Sequence, residues 1–121
     1  MKFMVVDDSM VIREKIQNVL KDEDFEIVGT AQNGVEAVEQ FKLLKPRVMT
    51  LDITMPLMDG IETIRQIIAL DTDVRILVVS ALADKSTLIQ AMHLGAYGFL
   101  CKPFRDLELI EALEELIEDI V

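Results

Sequence analysis

The sequence is poor in the residues from which disulfides and soft-metal sites are built. It has one cysteine, one histidine and no tryptophan among its 121 residues. A single cysteine cannot form an internal disulfide or a cysteine-built zinc site, and a single histidine cannot form a histidine-rich metal cluster. These absences favour a reducing compartment, and they leave the chain to rely on an apolar core for its stability.

Basic residues and long apolar runs are also scarce. Lys and Arg number 12 against 22 Asp and Glu, which gives a formal net charge of -10. This balance argues against sequence-independent binding to nucleic acid or anionic lipid, which requires clustered basic residues. No stretch approaches the roughly 20 apolar residues of a membrane span. Asp7 and Asp8 interrupt the N-terminal apolar run, which is therefore not a signal peptide. We expect a cytoplasmic protein with no nucleic-acid or membrane partner.

Short apolar runs alternate with stretches of helical spacing along the whole chain. In the first helical stretch Ile12, Ile16 and Leu20 share one face, and Arg13 and Lys15 lie on the other, polar side. Continuous apolar runs are typical of strands covered on both faces. They predict strands at 3–6, 25–29, 48–51, 75–79 and 97–101.

Five successive strand–helix units predict an α/β fold with a parallel sheet and helices on both of its faces. The fourth helix is predicted over about 84–93, and Gly95 is suited to end it. We see no linker or composition change inside the chain. We therefore expect one domain over residues 1–121, with no output domain attached.

Polar residues follow four of the five predicted strands. Asp7 and Asp8 follow the first strand, Asp52 the third, Ser80 the fourth and Lys102 the fifth. Taken singly, each has an ordinary explanation as a helix cap, a turn residue or a solvated lysine. Together they matter more, because the carboxyl ends of parallel strands meet at one edge of the sheet, where ligands bind.

The chemistry of this set predicts a phosphoryl site. Carboxylates about 5 Å apart repel by about 3 kcal/mol per pair at an effective dielectric constant near 20, so a cation is expected among them. Oxygen ligands without nearby His or Cys suit Mg²⁺ or Mn²⁺. Lys102 adds an ammonium group and Ser80 a hydroxyl. Such a receptor fits a tetrahedral dianion, and an aspartate can itself act as a nucleophile to form an aspartyl-phosphate.

The strand-end motifs resemble those of the response-regulator receiver domain, and the likeness spans essentially the whole chain. Within that family the chain is most similar to single-domain chemotaxis regulators of the CheY type. This resemblance implies a flavodoxin-like sheet of order 2-1-3-4-5 flanked by five helices. The segments that carry it are VVDDS at 5–9, LDITMPLMDG at 51–60, VSA at 79–81 and GAYGFLCKPF at 95–104.

The resemblance also implies roles for the acidic residues. Asp52 would accept a phosphoryl group from the phospho-histidine of a histidine kinase. Asp8, Asp52 and the backbone carbonyl of Thr54 would bind Mg²⁺ directly, and Mn²⁺ could substitute. Asp7 would bind the metal through a water molecule. Thr54 and Leu82 occupy positions that tune the lifetime of the phosphate in the family.

Other residues match the family's switch. Lys102 would pair with the phosphate, and Ser80 would swing its hydroxyl towards it. The aromatic residue three positions before the lysine is Phe99, where the family more often has tyrosine. Because phenylalanine has no hydroxyl to hydrogen-bond, we expect Phe99 to favour an inward position even before phosphorylation. Lys102-Pro103 matches a peptide bond that is typically cis in the family. The neighbouring Cys101 is predicted to be a buried, inert thiol.

On this reading the protein is not an enzyme beyond its own phosphorylation and dephosphorylation. The implied partners are a chemotaxis-type histidine kinase, a downstream protein such as a flagellar motor switch component, and a phosphatase. The chain is expected to be a monomer. The output surface would comprise the fourth helix, fifth strand and fifth helix. We expect that surface to be mixed and polar, without a large apolar patch.

Rival interpretations differ in chemistry or in role. Phosphatases of the haloacid-dehalogenase type need a second Asp two residues after the nucleophile, where this chain has Thr54. A phosphate-independent interaction module of receiver fold is an alternative, although all five site residues are present. A phosphate sink or relay is another. The stretch VGTAQNG at 28–34 is also similar to receivers that head chemotaxis methylesterases.

Overall fold

The computed structural model describes residues 1–55, 57–81 and 85–120. Strands and helices alternate as predicted, and the five parallel strands lie in the order β2-β1-β3-β4-β5. Two predicted positions, Leu82 and the helix start at Asp84, lie outside the described residues. The elements are β1 Lys2–Val6, α1 Met10–Leu20, β2 Glu26–Ala31, α2 Gly34–Leu44, β3 Val48–Leu51, α3 Gly60–Leu70, β4 Arg75–Ser80, α4 Lys85–Leu94, β5 Gly98–Cys101 and α5 Asp106–Ile117.

The core consists of two apolar layers, one on each face of the sheet. Met4 and Val6 of β1 pack on the side of α2, α3 and α4. Phe3 and Val5 of the same strand pack on the side of α1 and α5. This alternation is the two-residue period of a strand, and it explains why the central strands are continuously apolar. The sheet is therefore covered on both faces, and polar side chains are left to its ends.

Several element boundaries differ by one or two residues from the sequence-based prediction. β2 extends two residues past Gly29, because Thr30 and Ala31 pair with the last two residues of β1. Here partner pairing, rather than composition, decides where the strand ends. The described part of α4 ends at Leu94, and Gly95 follows with a φ of +125°. That left-handed conformation favours glycine, so its predicted role at the end of the helix is confirmed.

The entry into α1 resolves one ambiguity of the sequence. Ser9 is the N-cap: its side-chain oxygen accepts a hydrogen bond from the backbone N–H of Ile12 at 3.4 Å. Asp8 is therefore not the cap, and its carboxylate is exposed at the edge of the sheet. None of the helices in the described ranges has the length and apolar character needed to cross a membrane.

Candidate functional site

The predicted site residues meet at the carboxyl edge of the sheet. Backbone hydrogen bonds continue the strand pairing just past the strand ends: Asp52 N–H donates to the carbonyl of Val6, and Lys102 N–H to that of Ser80, each at 3.0 Å. These hydrogen bonds therefore fix the main chain at Asp52 and Lys102. Neighbouring strands determine which side chains meet, as the parallel topology requires.

Three carboxylates form the centre of the site. Asp7, Asp8 and Asp52 each contribute an oxygen, and these oxygens lie within 4.8 Å of one another. Asp7 is 1% exposed and Asp52 is 5% exposed. Unit charges at this spacing repel by about 3 kcal/mol at an effective dielectric constant near 20, so the arrangement requires positive charge.

Lys102 supplies part of that charge. Its Nζ lies 2.7 Å from Asp7 Oδ2 and 3.4 Å from Asp52 Oδ2, and its side chain is 16% exposed. The ammonium group therefore bridges the two buried carboxylates and lies closer to Asp7. From this position it can reach a group attached to Asp52 by a short movement of a flexible side chain.

The electrostatic environment shifts two pKa values. Burial raises the pKa of Asp52 above its ordinary 3.8, and the charge of Asp7 adds to this effect, whereas Lys102 and the Thr54 N–H oppose it. Burial acts to lower the pKa of Lys102, but the carboxylates of Asp7 and Asp52 outweigh it and raise that pKa above 10.5. Lys102 therefore stays protonated, and the ionised form of Asp52 depends on nearby cations.

The hydrogen-bond partners of the buried carboxylates leave room for a metal ion. Asp52 Oδ1 accepts from the Thr54 N–H at 3.2 Å, and Asp7 Oδ1 from the Ser9 N–H at 2.9 Å. Asp7 Oδ2 forms an ion pair with the Lys102 ammonium at 2.7 Å. Three carboxylates that share one ammonium, with Asp8 exposed, fit a hard divalent cation with oxygen ligands.

The remaining predicted residues lie at the border of the site. Ser80 is buried at the end of β4, one strand from Asp52. Thr54 is exposed on the loop after β3, two residues after Asp52. The Lys102-Pro103 peptide bond is cis, as predicted.

Two predictions about β5 are wrong. Phe99 is 39% exposed rather than inward, and Cys101 is exposed rather than buried. Both follow from the position of β5 at the edge of the sheet. Its residues alternate between half-buried Gly98 and Leu100, which face the α5 side, and exposed Phe99 and Cys101 on the other face.

The surface of α4, β5 and α5 carries several large apolar side chains that reach solvent. They are Ile89 at 57%, Met92 at 45%, Tyr97 at 49%, Phe99 at 39% and Leu107 at 63% exposed. Singly exposed apolar side chains are ordinary on protein surfaces, so the expected lack of a large apolar patch here stays a prediction.

The sequence did not reveal two contacts that hold the border of the site. Two basic side chains on the polar face of α1 donate to backbone carbonyls. Arg13 Nη1 donates to the carbonyl of Asp7 at 2.6 Å, and Lys15 Nζ donates to the carbonyl of Phe104. No sequence pattern predicts such contacts, because the acceptors are main-chain carbonyls, which every residue has.

Comparison with known proteins agrees with this geometry. Residues 3–114 match the sequence profile of the response regulator receiver domain. The chain is 44% identical over 115 residues to the chemotaxis protein CheY of Listeria monocytogenes, which covers 95% of this chain and 97% of that protein. It is 39% identical over 122 residues to a protein-glutamate methylesterase/protein-glutamine glutaminase of Clostridium acetobutylicum, covering 98% of this chain and 35% of that protein.

The fold likewise matches solved structures. A chain in the crystal structure of the CheX–CheY–BeF3–Mg²⁺ complex from Borrelia burgdorferi superposes with a TM-score of 0.92 at 30% sequence identity. The match covers 96% of this chain and 88% of that chain. That structure contains Mg²⁺, and the carboxylate triad described above could hold such an ion.

Proposed function

Because this chain belongs to the response regulator receiver family, we propose that it is a two-component phospho-switch in which Asp52 accepts a phosphoryl group from the phospho-histidine of a histidine kinase. The observation that carries the proposal is the environment of Asp52. It is buried at a strand end, within 4.8 Å of two further carboxylates and 3.4 Å from the Lys102 ammonium. This is a receptor that needs one more cation and can then accept a tetrahedral anion.

The carboxylates fit Mg²⁺, with Mn²⁺ as a substitute. We propose that Asp8, Asp52 and the backbone carbonyl of Thr54 hold the ion directly and that Asp7 holds it through water. The exposure of Asp8 and the approach of the three carboxylates to within 4.8 Å of one another support this assignment. When bound, the metal neutralises carboxylate charge and the charge of the transferring group.

In the phosphoryl transfer, the protein mainly positions the reacting groups and neutralises charge. A carboxylate oxygen of Asp52 forms a bond to phosphorus as the bond from phosphorus to the histidine nitrogen breaks, and the freed imidazole takes up a proton from solvent. The burial of Asp52 fixes the attacking oxygen, and the nearby Lys102 ammonium favours its ionised, nucleophilic form. Lys102 then moves its ammonium from Asp7 to the new phosphoryl oxygens.

Phosphorylation adds close to two negative charges at the end of β3. We propose that the Ser80 hydroxyl donates to a phosphoryl oxygen and draws the end of β4 inward. Phe99 starts from an exposed position on the adjacent strand, so the switch would bury it rather than leave it where it is. The output surface of α4, β5 and α5 changes shape as a result.

A chemotaxis role is the best-supported setting. CheY relatives that match nearly end to end favour a messenger between a chemotaxis histidine kinase and a downstream protein such as a flagellar motor switch component. The complex of a similar CheY with CheX supports a phosphatase as a further partner. We propose that the protein acts in the cytoplasm as a monomeric single receiver domain spanning 1–121, and that it is not an enzyme on other substrates.

A small phosphodonor tests the phosphoryl-acceptor assignment. Wild type, Asp52→Asn and the surface control Asp22→Asn are incubated with acetyl phosphate with and without Mg²⁺, and intact mass is measured. Wild type and Asp22→Asn should each gain one phosphoryl group only with Mg²⁺, and Asp52→Asn should gain none. A wild type that gains no mass contradicts the proposal.

A second experiment separates a messenger from a phosphate sink. The protein with and without bound BeF3⁻ is used to capture motor switch proteins and kinase from an extract of its own cells. A messenger binds a switch protein only in the BeF3⁻ state, whereas a sink or relay exchanges phosphate with the kinase and binds no switch protein in either state.

A further inference from the structure

α1 carries two basic side chains that reach opposite borders of the site. Arg13 Nη1 donates to the carbonyl of Asp7, and Lys15 Nζ donates to the carbonyl of Phe104. The Lys15 ammonium also lies 4.3 Å from the centre of the Phe104 ring. A single residue of α1 therefore holds both the main chain and the side chain of Phe104, by a charge-assisted hydrogen bond and a cation–π contact.

Phe104 lies two residues after Lys102, on the segment between β5 and α5. The Lys102 N–H is held by the carbonyl of Ser80, and Pro103 has no N–H to donate. The Phe104 side chain is 4% exposed and packs in the apolar layer beneath α1 and α5. Besides this packing, Lys15 adds a polar contact that ties the chain just beyond Lys102 to α1.

Through these two contacts, one helix holds the main chain at Asp7 and the main chain near Lys102. Arg13 holds the main chain of Asp7, and Lys15 holds the main chain two residues from Lys102. Because both side chains belong to α1, they link the main chain at Asp7 to the main chain two residues after Lys102. We propose that Lys15 is a positioning residue for phosphoryl transfer, which holds Phe104 so that the Lys102 ammonium stays within reach of Asp52 and of the incoming phosphoryl group.

This inference rests on the proposed function. It predicts effects on phosphoryl transfer that a lysine with a purely structural role would not have. A lysine that only stabilises the fold would affect the free energy of unfolding and leave the chemistry of the folded fraction unchanged. A positioning lysine changes the transfer rate of the folded protein and the surroundings of the Lys102 ammonium. It does so without changing metal affinity, because the proposed metal ligands lie on other segments.

Three variants test the role. Lys15→Met keeps an unbranched side chain without the donor, Lys15→Arg keeps the donor and the cation, and Lys21→Met removes an exposed charge just after the same helix as a matched control. Each is assayed for kcat and KM with acetyl phosphate and for Mg²⁺ affinity. The side-chain ammonium resonance of Lys102 is recorded by NMR in the metal-free protein.

We expect Lys15→Met to lower kcat by about tenfold with unchanged Mg²⁺ affinity, since small displacements of a reacting group are costly. Lys15→Arg should restore the rate to within about twofold, because it can donate and stack in the same place. The Lys102 resonance should shift in Lys15→Met and not in Lys21→Met. A Lys15→Met variant with wild-type kcat, or an equally slow Lys15→Arg, overturns the inference.

Failure of the inference can be told from failure of the proposed function. If wild type itself is not phosphorylated, the proposed function fails, and the Lys102 resonance still reports whether Lys15 positions that side chain. If wild type is phosphorylated and the Lys102 resonance is the same in Lys15→Met and wild type, only the inference fails.

Discussion

At the scale of single residues, the main feature of the site is the pairing of one ammonium group, that of Lys102, with the carboxylates of Asp7 and Asp52. One ammonium group serves two buried carboxylates and lies closer to Asp7 than to Asp52. The metal-free site is therefore under-neutralised, which costs stability and prepares Asp52 for cation-dependent chemistry. The excess negative charge that suits Asp52 to cation-dependent chemistry also lowers the stability of the folded protein.

Replacing Asp52 should therefore stabilise the metal-free protein. Because burial and the charge of Asp7 raise the pKa of Asp52 above 3.8, the folded state holds its proton more tightly than the unfolded state does. The free energy of unfolding should then fall as pH rises from 3.8 through that raised pKa. At neutral pH we expect Asp52→Asn to raise it by about 1 kcal/mol, the usual scale for relieving one unfavourable interaction.

Urea denaturation across this pH range measures the effect. The difference between Asp52→Asn and wild type should shrink towards acid pH, and Mg²⁺ should stabilise wild type more than the variant. A difference that grows towards acid pH would contradict the charge account.

A buried hydroxyl offers a second prediction. Thr50 Oγ1 is buried and has no hydrogen-bond partner in the described part of the chain, whereas Thr63 Oγ1 donates to the carbonyl of Asp59 at 2.7 Å. Thr50→Val should raise the free energy of unfolding by about 1 kcal/mol, and Thr63→Val should lower it by about as much. Chemical denaturation of both variants checks this. Equal destabilisation by both would mean that the Thr50 hydroxyl is satisfied.

Residue identity at the site was predictable, but side-chain exposure and long-range contacts were not. Asp7, Asp52 and Lys102 were found because strand ends of a parallel sheet converge. The exposure of Phe99 depends on how far α4 covers the edge strand, which no local pattern records. Lys15 reaches an acceptor 89 residues away in sequence. The functional roles proposed for these residues stay predictions.

At the scale of elements, the end of α5 needs an external partner. Its last turn has no basic residue, although cations stabilise a helix C-terminus. Arg75 at the start of β4 compensates: it donates to the carbonyl of Leu116 at 3.0 Å and to the carboxylate of Asp119 at 2.8 Å. Its guanidinium also lies 4.1 Å from the centre of the Tyr97 ring.

Arg75→Ala should therefore loosen the last turn of α5. Amide hydrogen exchange there should become about fivefold faster, while exchange in the central strands changes less. The hydrogen bond from Arg75 lowers the pKa of Asp119 below 3.8, so the ion-pair contribution is present above that pH and disappears as pH falls through the lowered pKa. A difference between variant and wild type that increases in acid would contradict this assignment.

The turn into α3 depends on a close backbone approach. A Cβ added at Gly60 would lie 2.4 Å from the Cα of Ile53, whereas one at Gly98 would meet only side-chain atoms at 3.2 Å and beyond. Gly60→Ala should lower the free energy of unfolding by about 2 kcal/mol or more despite the higher helix propensity of alanine. It should also disturb the loop that follows Asp52.

Gly98→Ala is the matched control and should change stability by less than about 1 kcal/mol. Thermal unfolding of both variants, with phosphorylation rate as a second readout, compares them. If Gly60→Ala were as well tolerated as Gly98→Ala, the loop would not need the close approach.

Elements were largely predictable from apolar periodicity, and their ends were not. β3 has the predicted bounds because a buried apolar run of four residues stops at a charged residue. β2 runs longer than predicted because its end is set by pairing with β1. The sheet order came from resemblance to a family, since periodicity alone does not order strands.

At the scale of the whole molecule, the acidic site and the proposed output surface are separate regions. Three of the 22 acidic residues form the proposed phosphoryl site, and most of the others that the structure describes are exposed to solvent. The surface of α4, β5 and α5 carries exposed apolar side chains next to the strand that holds Lys102. Asp52 follows β3, and only β4 separates β3 from β5, which belongs to the proposed output surface. A charge change at Asp52 therefore occurs close to that surface.

Locating the phosphoryl group on the chain tests the central claim most directly. Wild type treated with acetyl phosphate and Mg²⁺ is reduced with borohydride, which converts an aspartyl-phosphate to homoserine, and the peptides are sequenced by mass spectrometry. The account predicts homoserine at position 52 alone and only when Mg²⁺ was present. Homoserine at another carboxylate, or none at any position, would contradict it.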